Sequence, residues 1–438
     1  PHGAAASEDL GTSFGTVLAG SIAERTFVVT NSGGRDNLDV SIQLSGDAAF
    51  SIVGASSFSV APGTSANFTV RYAPSTSGPA ETQVEITHNN LSAPLPWTFA
   101  LSATGDSGAR LEVRGNDNLR IPSGAGAAPA FGTHWGWNDM STPVEIEREF
   151  RIVNAGKRPL SLTTPTISGA NFSLTEMPAT TVAPRGSTRF KVKYTASAAG
   201  VSAATVTFAS NDPDVPTYTL NLRALAGSKI WYVSPDGDDS DGLSWATAKK
   251  SLAAAVGLAA ANDAILIGDG YYGLGATVSI TKTLALIGAS GDPASVVFNG
   301  GGTLRCFEVT GASTMISGLT VTNGFAGLGG GLYVNADHIL LDNVVLSGNR
   351  STTASGNGGG AIKVIDQPIT LNNVVLRGNQ STGHGAGLYN SSGISTIVKT
   401  LFDANSTASG TYGGAAWAQG YVCYSTFTTN TAQWGGAW

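Results

Sequence analysis

Between Gly329 and Trp438 one short pattern returns five times. It reads Gly-Gly-Leu-Tyr (Gly330–Tyr333), Gly-Gly-Ala-Ile (Gly359–Ile362), Ala-Gly-Leu-Tyr (Ala386–Tyr389), Gly-Gly-Ala-Ala (Gly413–Ala416) and Gly-Gly-Ala-Trp (Gly435–Trp438). The steps are 29, 27, 27 and 22 residues, a period that belongs to stacked-coil architectures. A second landmark keeps time with it, an apolar residue three places before an Asn: Leu346/Asn349, Leu376/Asn379, Phe402/Asn405 and Phe427/Asn430, with a forerunner ending at Asn323. Five places before each apolar member stands another: Leu341, Leu371, Ile397 and Val422.

The period predicts a right-handed parallel β-helix over residues 228–438. Each coil would lie about 4.8 Å above the last, so equivalent residues stack in columns. Apolar columns fill the interior. The Asn column (Asn323, Asn349, Asn379, Asn405, Asn430) suits a bend, because Asn tolerates the left-handed conformation and its amide can bond to the Asn above and below. Thr247–Ala261 is Ala-rich and helix-periodic, which predicts a short helix capping the first coil. Lys363 shares a face with Ala361 and is expected to point outward. By that parity Tyr333, Ile362, Tyr389 and Trp438 point inward and Trp417 lies outside.

The chain opens with two copies of a different unit, expected over residues 1–107 and 108–227. Val60–Tyr72 aligns with Val182–Tyr194, and Thr87–Asn90 with Ala209–Asp212, both at an offset of 122. Phe27–Asn31 matches Phe150–Asn154 at 123, and Phe14-Gly-Thr16 matches Phe131-Gly-Thr133 at 117. Alternating strands separated by Pro, Gly and Asn turns predict two immunoglobulin-like β-sandwiches, so the fold class is all-β. The change of offset predicts an insertion at His134–Met140. Its His134, Trp135 and Trp137 are candidates for stacking on a sugar or meeting another subunit, against the plainer reading that the tryptophans fold back onto their own sandwich or the β-helix. The short join at Ala226–Ser228 places the second sandwich near the entrance of the β-helix.

Three resemblances follow from these residues. Thr-Asn-Ser-Gly (30–33), Val-Ala-Pro-Gly (60–63), Arg-Tyr-Ala-Pro (71–74) and Asn-Asn (89–90) resemble the choice-of-anchor D or ASPM–SPD-2–Hydin modules. That family implies a spacer or interaction role on large secreted or cell-surface bacterial proteins. Ile230–Ala248 resembles the entry segment of pectin-lyase-like β-helices. The repeats are similar to those of polymorphic outer-membrane proteins, which implies surface display and adhesion.

Charged residues make up 12%, with 57 Gly and a net charge of −6. That composition argues against nucleic acid and anionic membranes as partners. No run of 18 apolar residues is present, so no membrane span is expected. Cys306 and Cys423 lie several coils apart, too far for a disulfide. Asp236, Asp238, Asp239 and Asp241 admit a calcium ion, although the EF-hand spacing fails and turn-making is the plainer role. No other cofactor is indicated.

Many β-helices cleave acidic polysaccharides, so Asp342, Lys363, Asp366 and Arg377 are the first residues to weigh for a lyase or hydrolase, with His338 and His384 as further bases. Trp417 and Trp438 are candidate ligand or interface residues. Trp438 ends the sequence in the opening strand of a further coil. An open coil end would be covered by more chain, or by another copy in a head-to-tail filament or surface layer. The expectation is a secreted or cell-surface bacterial structural or adhesive protein, whose partners are itself, another surface protein or glycans. The alternative is a polysaccharide-active β-helix enzyme.

Overall fold

The computed structural model describes residues 1–106, 108–353 and 356–437. Trp438 and the boundary residue Ser107 lie outside the described residues, so the inward placement expected of Trp438 lies there too.

Alternating polarity builds both sandwiches. In Ser65–Tyr72 the inward Phe68, Val70 and Tyr72 are at most 4% exposed while their neighbours face out. The first sandwich sets Ser13–Leu18, Trp97–Asp106, Gly78–His88, Leu38–Gly46 and Ser57–Val60 against Ala23–Thr30, Ser65–Tyr72 and Phe50–Val53. In the second, the matching sheets are His134–Asp139, Thr217–Gly227, Gly200–Ala209 and Thr166–Ser168, and Val144–Asn154, Ser187–Ala196 and Phe172–Glu176. The latter sheet gains two strands, Leu111–Arg114 and Arg120–Ile121, along the edge of Val144–Asn154.

Register corrects the repeat. Leu18 pairs with Asp106 and Asp139 with Gly227, so the first strands correspond at an offset of 121, not 117. Phe14 therefore answers to Trp135. Phe14 packs on Phe50 and Tyr72, as Trp135 packs on Phe172 and Tyr194. The same offset carries Thr12 onto Thr133, each bonded to the backbone five residues earlier. It also carries Gly3, which donates to the Thr98 carbonyl, onto Gly124, which donates to that of Thr219. No insertion exists at 134–140. At that offset residues 122–227 of unit two match residues 1–106 of unit one.

In the β-helix, parallel strands stack into three long faces. The first face holds Val278–Ile280, Phe307–Val309, Leu332–Val334 and Ile362–Val364, then the opening residues of Leu388–Val398 and Ala416–Cys423. The second face runs from Ile230–Val233 through Ala264–Ile267, Ala285–Gly288 and Ile369–Asn372 to the ends of those two long strands. The third includes Val375–Arg377, Leu401–Asp403 and Thr426–Thr428. Both expected apolar columns form: Leu346, Leu376, Phe402 and Phe427 are in register, as are Leu341, Leu371, Ile397 and Val422. Phe402 and Phe427 stack with centroids 4.8 Å apart and planes 2° from parallel, so one coil pitch sets the ring spacing.

The cap is one helix, Leu252–Leu258, shorter than the expected stretch. Ser251 caps it by accepting from the Ala254 N–H, and Leu252, Ala255 and Val256 seal the core of the first coils.

The Asn column is a ladder of four. Asn349, Asn379 and Asn405 each donate backbone and side-chain N–H to the side-chain oxygen of the next Asn, at 2.9–3.1 Å, ending on Asn430. Asn323 is not a rung: Gly324 stands there and donates to Asn349. Asn323 occupies the left-handed corner one residue earlier, with Gly348, Gly378, Ala404 and Thr429 in the following coils. The ladder Asn residues therefore bond across the bend while their predecessors make it.

The Gly motif slips in the same way. Leu332, Ile362, Leu388 and Ala416 form one column and Tyr333, Lys363, Tyr389 and Trp417 the next. Counting from the left-handed Gly329, Gly359, Gly385 and Gly413 gives the true phase. Ile362 points inward as expected and Trp417 outward, but Tyr333 and Tyr389 stand in the outward column with Lys363. A one-residue slip exchanges faces.

Candidate functional site

Two surfaces gather the chemistry-bearing residues. One is the seam between the second sandwich and the second face of the β-helix. The sandwich lies along this face rather than at its entrance. Contacts run from Asn262, which accepts from the Trp137 indole N–H at 2.9 Å, to Tyr424, whose hydroxyl accepts from the Arg120 N–H at 2.7 Å. Between them the Gly126 N–H donates to Thr396 Oγ1, the Ala130 N–H to Asn372 Oδ1, the Tyr421 hydroxyl to the Ser123 carbonyl and Arg223 to Ser313 Oγ. Lys399 pairs with Asp117 at 2.8 Å. Gly126 is required here, since a Cβ would sit 2.9 Å from Thr396 Oγ1.

This seam absorbs the His-Trp loop. Trp135 is 4% exposed, inside its own sandwich beneath Arg148. Trp137 packs against the apolar cluster that Leu225 forms with Ala264, Ala285, Met315 and Leu340 of the β-helix. His134 is buried. Burial first, then the charges of Arg223 and Arg148, pull its pKa down to about 3, so it is neutral. A cleft of about 660 Å³ remains in the seam, lined by His134, Asn221, Arg223, His338, Thr370 and Thr396 among others.

The other surface is a strip on the first face. The Lys363 ammonium lies 3.7 Å from the Tyr389 ring centroid and Arg305 covers Tyr333 at 4.6 Å. Beside this column runs a second one, the residues just before the left-handed glycines: His384, Tyr412 and Trp434. His384 stands 5.2 Å from Trp417 and 5.1 Å from Tyr412, and Tyr412 stands 5.3 Å from Trp417 and 4.9 Å from Trp434. Trp417, Tyr412 and Trp434 are 38%, 41% and 46% exposed. Sequence reading named Trp417 but missed Tyr412 and Trp434, because the slipped motif hid the column that a count from the left-handed glycines reveals.

The four catalytic candidates are spread over the coils. Asp342 lies mid-strand in Ile339–Ser347, where the second face gives way to the third, and accepts from Asn372 at 2.7 Å; burial raises its pKa. Lys363 is 4% exposed on the first face, and burial pulls its pKa down to about 8. Asp366, just beyond, accepts from the Ser391 hydroxyl, which helps hold its pKa low. Arg377 is on the third face, paired with Asp403 at 2.9 Å. Only Lys363 and Asp366 are neighbours.

All four aspartates are exposed, and Asp238, Asp239 and Asp241 each accept a backbone N–H, from Ser240, Lys250 and Leu243. No cluster of three or more His, Cys, Asp or Glu side chains placed to hold a metal occurs among the described residues. Both cysteines are free thiols. No helix among the described residues is long and apolar enough to cross a membrane.

No family model matches the chain, and no curated protein matches it. Among solved structures it is similar to a protein of unknown function from Porphyromonas gingivalis W83, at 15% identity and a TM-score of 0.21, over 49% of this chain and 95% of that one. It is also similar to a PapD-like domain of human CEP192, at 11% identity and a TM-score of 0.19, over 28% and 87%. The periplasmic chaperone SfaE gives 14% identity and a TM-score of 0.18, over 49% and 98%. At these scores the likenesses carry no functional argument.

Proposed function

We propose that this is a secreted or cell-surface bacterial structural and adhesive protein. In this reading the sandwiches are choice-of-anchor D-type modules and the β-helix is a pectin-lyase-like rod with outer-membrane-protein-type repeats. The observation that carries it is the strip of His384, Tyr412, Trp417 and Trp434, rings about one coil pitch apart of which the last three are exposed and His384 half-buried. An exposed aromatic strip of this kind suits the apolar faces of an extended glycan, with Arg305 supplying positive charge beside Tyr333 on the same face. A glycan array with the 438-residue chain tests it. Binding that is lost in Trp417→Ala and Tyr412→Ala and kept in Tyr271→Ala, an exposed ring elsewhere, supports the proposal. An empty array, or binding indifferent to those rings, defeats it.

One observation favours polysaccharide cleavage as a second reading. A lysine brought down to about 8 beside a carboxylate is suited to proton abstraction near neutral pH. If unsaturated products form from an acidic polysaccharide and Lys363→Met abolishes them, this reading displaces the first.

A further inference from the structure

The seam cleft holds polar groups that the docking of the second sandwich leaves unused. His134 and Arg223 stand side by side, paired in register on neighbouring strands of that sandwich. The His134 ring is 6% exposed, and its Nδ1 accepts from the Gly136 N–H at 2.9 Å. Burial and the nearby arginine charges keep the ring neutral, so its proton sits on Nε2. That N–H has no protein acceptor among the described residues, and His134 lines the cleft. The Arg223 guanidinium donates to Ser313 Oγ at 2.8 Å and forms no ion pair among the described residues; the exposed Asp337 acts on it only at longer range. Its charge bears both on His134 and on His338, which stands at a left-handed corner of the β-helix and also lines the cleft. The Thr370 hydroxyl, from the second face, is a further buried donor there. No Asp or Glu lines the cleft among the described residues, in a chain whose net charge is −6.

We infer that this cleft binds a small organic carboxylate, its oxygens held by Arg223, His134 and Thr370 and its body against Leu340, Pro368 and Ile394. Water can satisfy a neutral donor, but a half-buried cation without a counter-ion carries a desolvation cost that an anion relieves. A guanidinium matches a carboxylate in plane and can hold both its oxygens, which leaves the His134 N–H and the Thr370 hydroxyl to fix its orientation. The rest of the wall is apolar, with Leu340, Pro368 and Ile394 from the β-helix and Ala127 and Leu222 from the sandwich. A bare oxyanion would leave that wall unused. The volume of about 660 Å³ is that of a ligand cleft with room for a ring beside the carboxylate. The occupant touches sandwich and β-helix at once, so binding it also braces the seam. The site is separate from the aromatic strip and does not depend on the glycan reading.

The test titrates the whole 438-residue chain with benzoate, naphthoate and quinate, each beside its uncharged amide, and with inorganic phosphate. Calorimetry is expected to show at least one carboxylate binding one to one with a Kd below about 1 mM, and its amide at least about tenfold more weakly. Arg223→Gln is expected to weaken that carboxylate at least about tenfold, and Thr370→Val about fivefold. Nitrogen NMR of labelled histidines gives a readout that needs no variant and stands even if Arg223→Gln fails to fold. The His134 Nε2 signal should move with the same Kd, while those of His2 and His88 in the first sandwich stay in place. The proposal is overturned if no carboxylate binds at about 10 mM, or if the amides or phosphate bind as tightly as the best acid. A folded Arg223→Gln chain with unchanged affinity, or a His134 signal that stays still while the acid binds, overturns it equally.

Discussion

The two sandwiches share a core and differ in what they can touch. Each closes on three aromatic rings at equivalent places, Phe14, Phe50 and Tyr72 in one, Trp135, Phe172 and Tyr194 in the other. Each ties a turn with an equivalent Asn, Asn31 or Asn154, donating to backbone carbonyls. Yet among the described residues only the second is fastened to the β-helix. The reason lies in a few substitutions along one segment. Where the second unit has Ser123, Gly126 and Ala130 at the seam, the first has His2, Ala5 and Asp9. A methyl group at the place of Gly126 would collide with Thr396, and an acid at that of Ala130 would face Asn372 and, behind it, Asp342. One scaffold thus becomes an internal splint where its rim is small enough to seat against the β-helix.

The largest test of that contrast is Trp135→Ala against Phe14→Ala. Each is expected to cost about 3–5 kcal/mol of its own sandwich. In urea unfolding followed by hydrogen exchange, only Trp135→Ala should also lower the protection of the second face of the β-helix. Equal loosening of that face by both would break the comparison. Next is Gly126→Ala, which gives the second sandwich the residue of the first. It is expected to cost about 1–3 kcal/mol by overpacking, with recovery when Thr396 is also cut to Ala.

Acid separates the units further. His134 titrates near 3 when folded and near 6.5 when exposed, so on acidification the unfolded chain takes up this proton first. The stability it contributes is complete above about pH 6.5 and falls by about 1.4 kcal/mol per pH unit towards pH 3. The equivalent Ser13 does not titrate, so the first sandwich should lack this slope; His134→Gln should remove it from the second. The smallest effect concerns the paired asparagines. Asn154 also accepts from the Arg110 N–H, at the root of the added strands. Its change to Ala should therefore cost about 0.5–1.5 kcal/mol more than Asn31→Ala in chemical denaturation, one hydrogen bond's worth.

Much of the fold was legible because columns in a solenoid are written into its period. The apolar residues three places before Asn, and those five places earlier, could be read directly, since burial selects their type in every coil. The sandwich repeat was legible in its later strands for the same reason, at an offset of 122. Reading failed where a residue type serves two adjacent places. Gly occupies both the left-handed corner and the close-packed place after it, so the motif slipped by one and exchanged the faces of Tyr333 and Tyr389. Asn323 sits in a corner that Asn tolerates and was mistaken for a rung. Phe-Gly-Thr at 131–133 matched the wrong one of two nearby hydrophobic-Gly-Thr runs, Phe14–Thr16 instead of Leu10–Thr12.

By itself, then, the sequence determined the classes of its parts: two sandwiches, one capped parallel β-helix, and the apolar columns in step with its period. Those follow from periodicity and polarity, which act over a few residues at a time. Only the tertiary structure decided where the parts meet. The docking of one sandwich and not its twin depends on Gly126 approaching Thr396 across a separation of 270 residues. The gathering of His384, Tyr412, Trp417 and Trp434 depends on the stacking of successive coils. Contacts of that kind are set by shape complementarity between distant surfaces, which leaves no period along the chain.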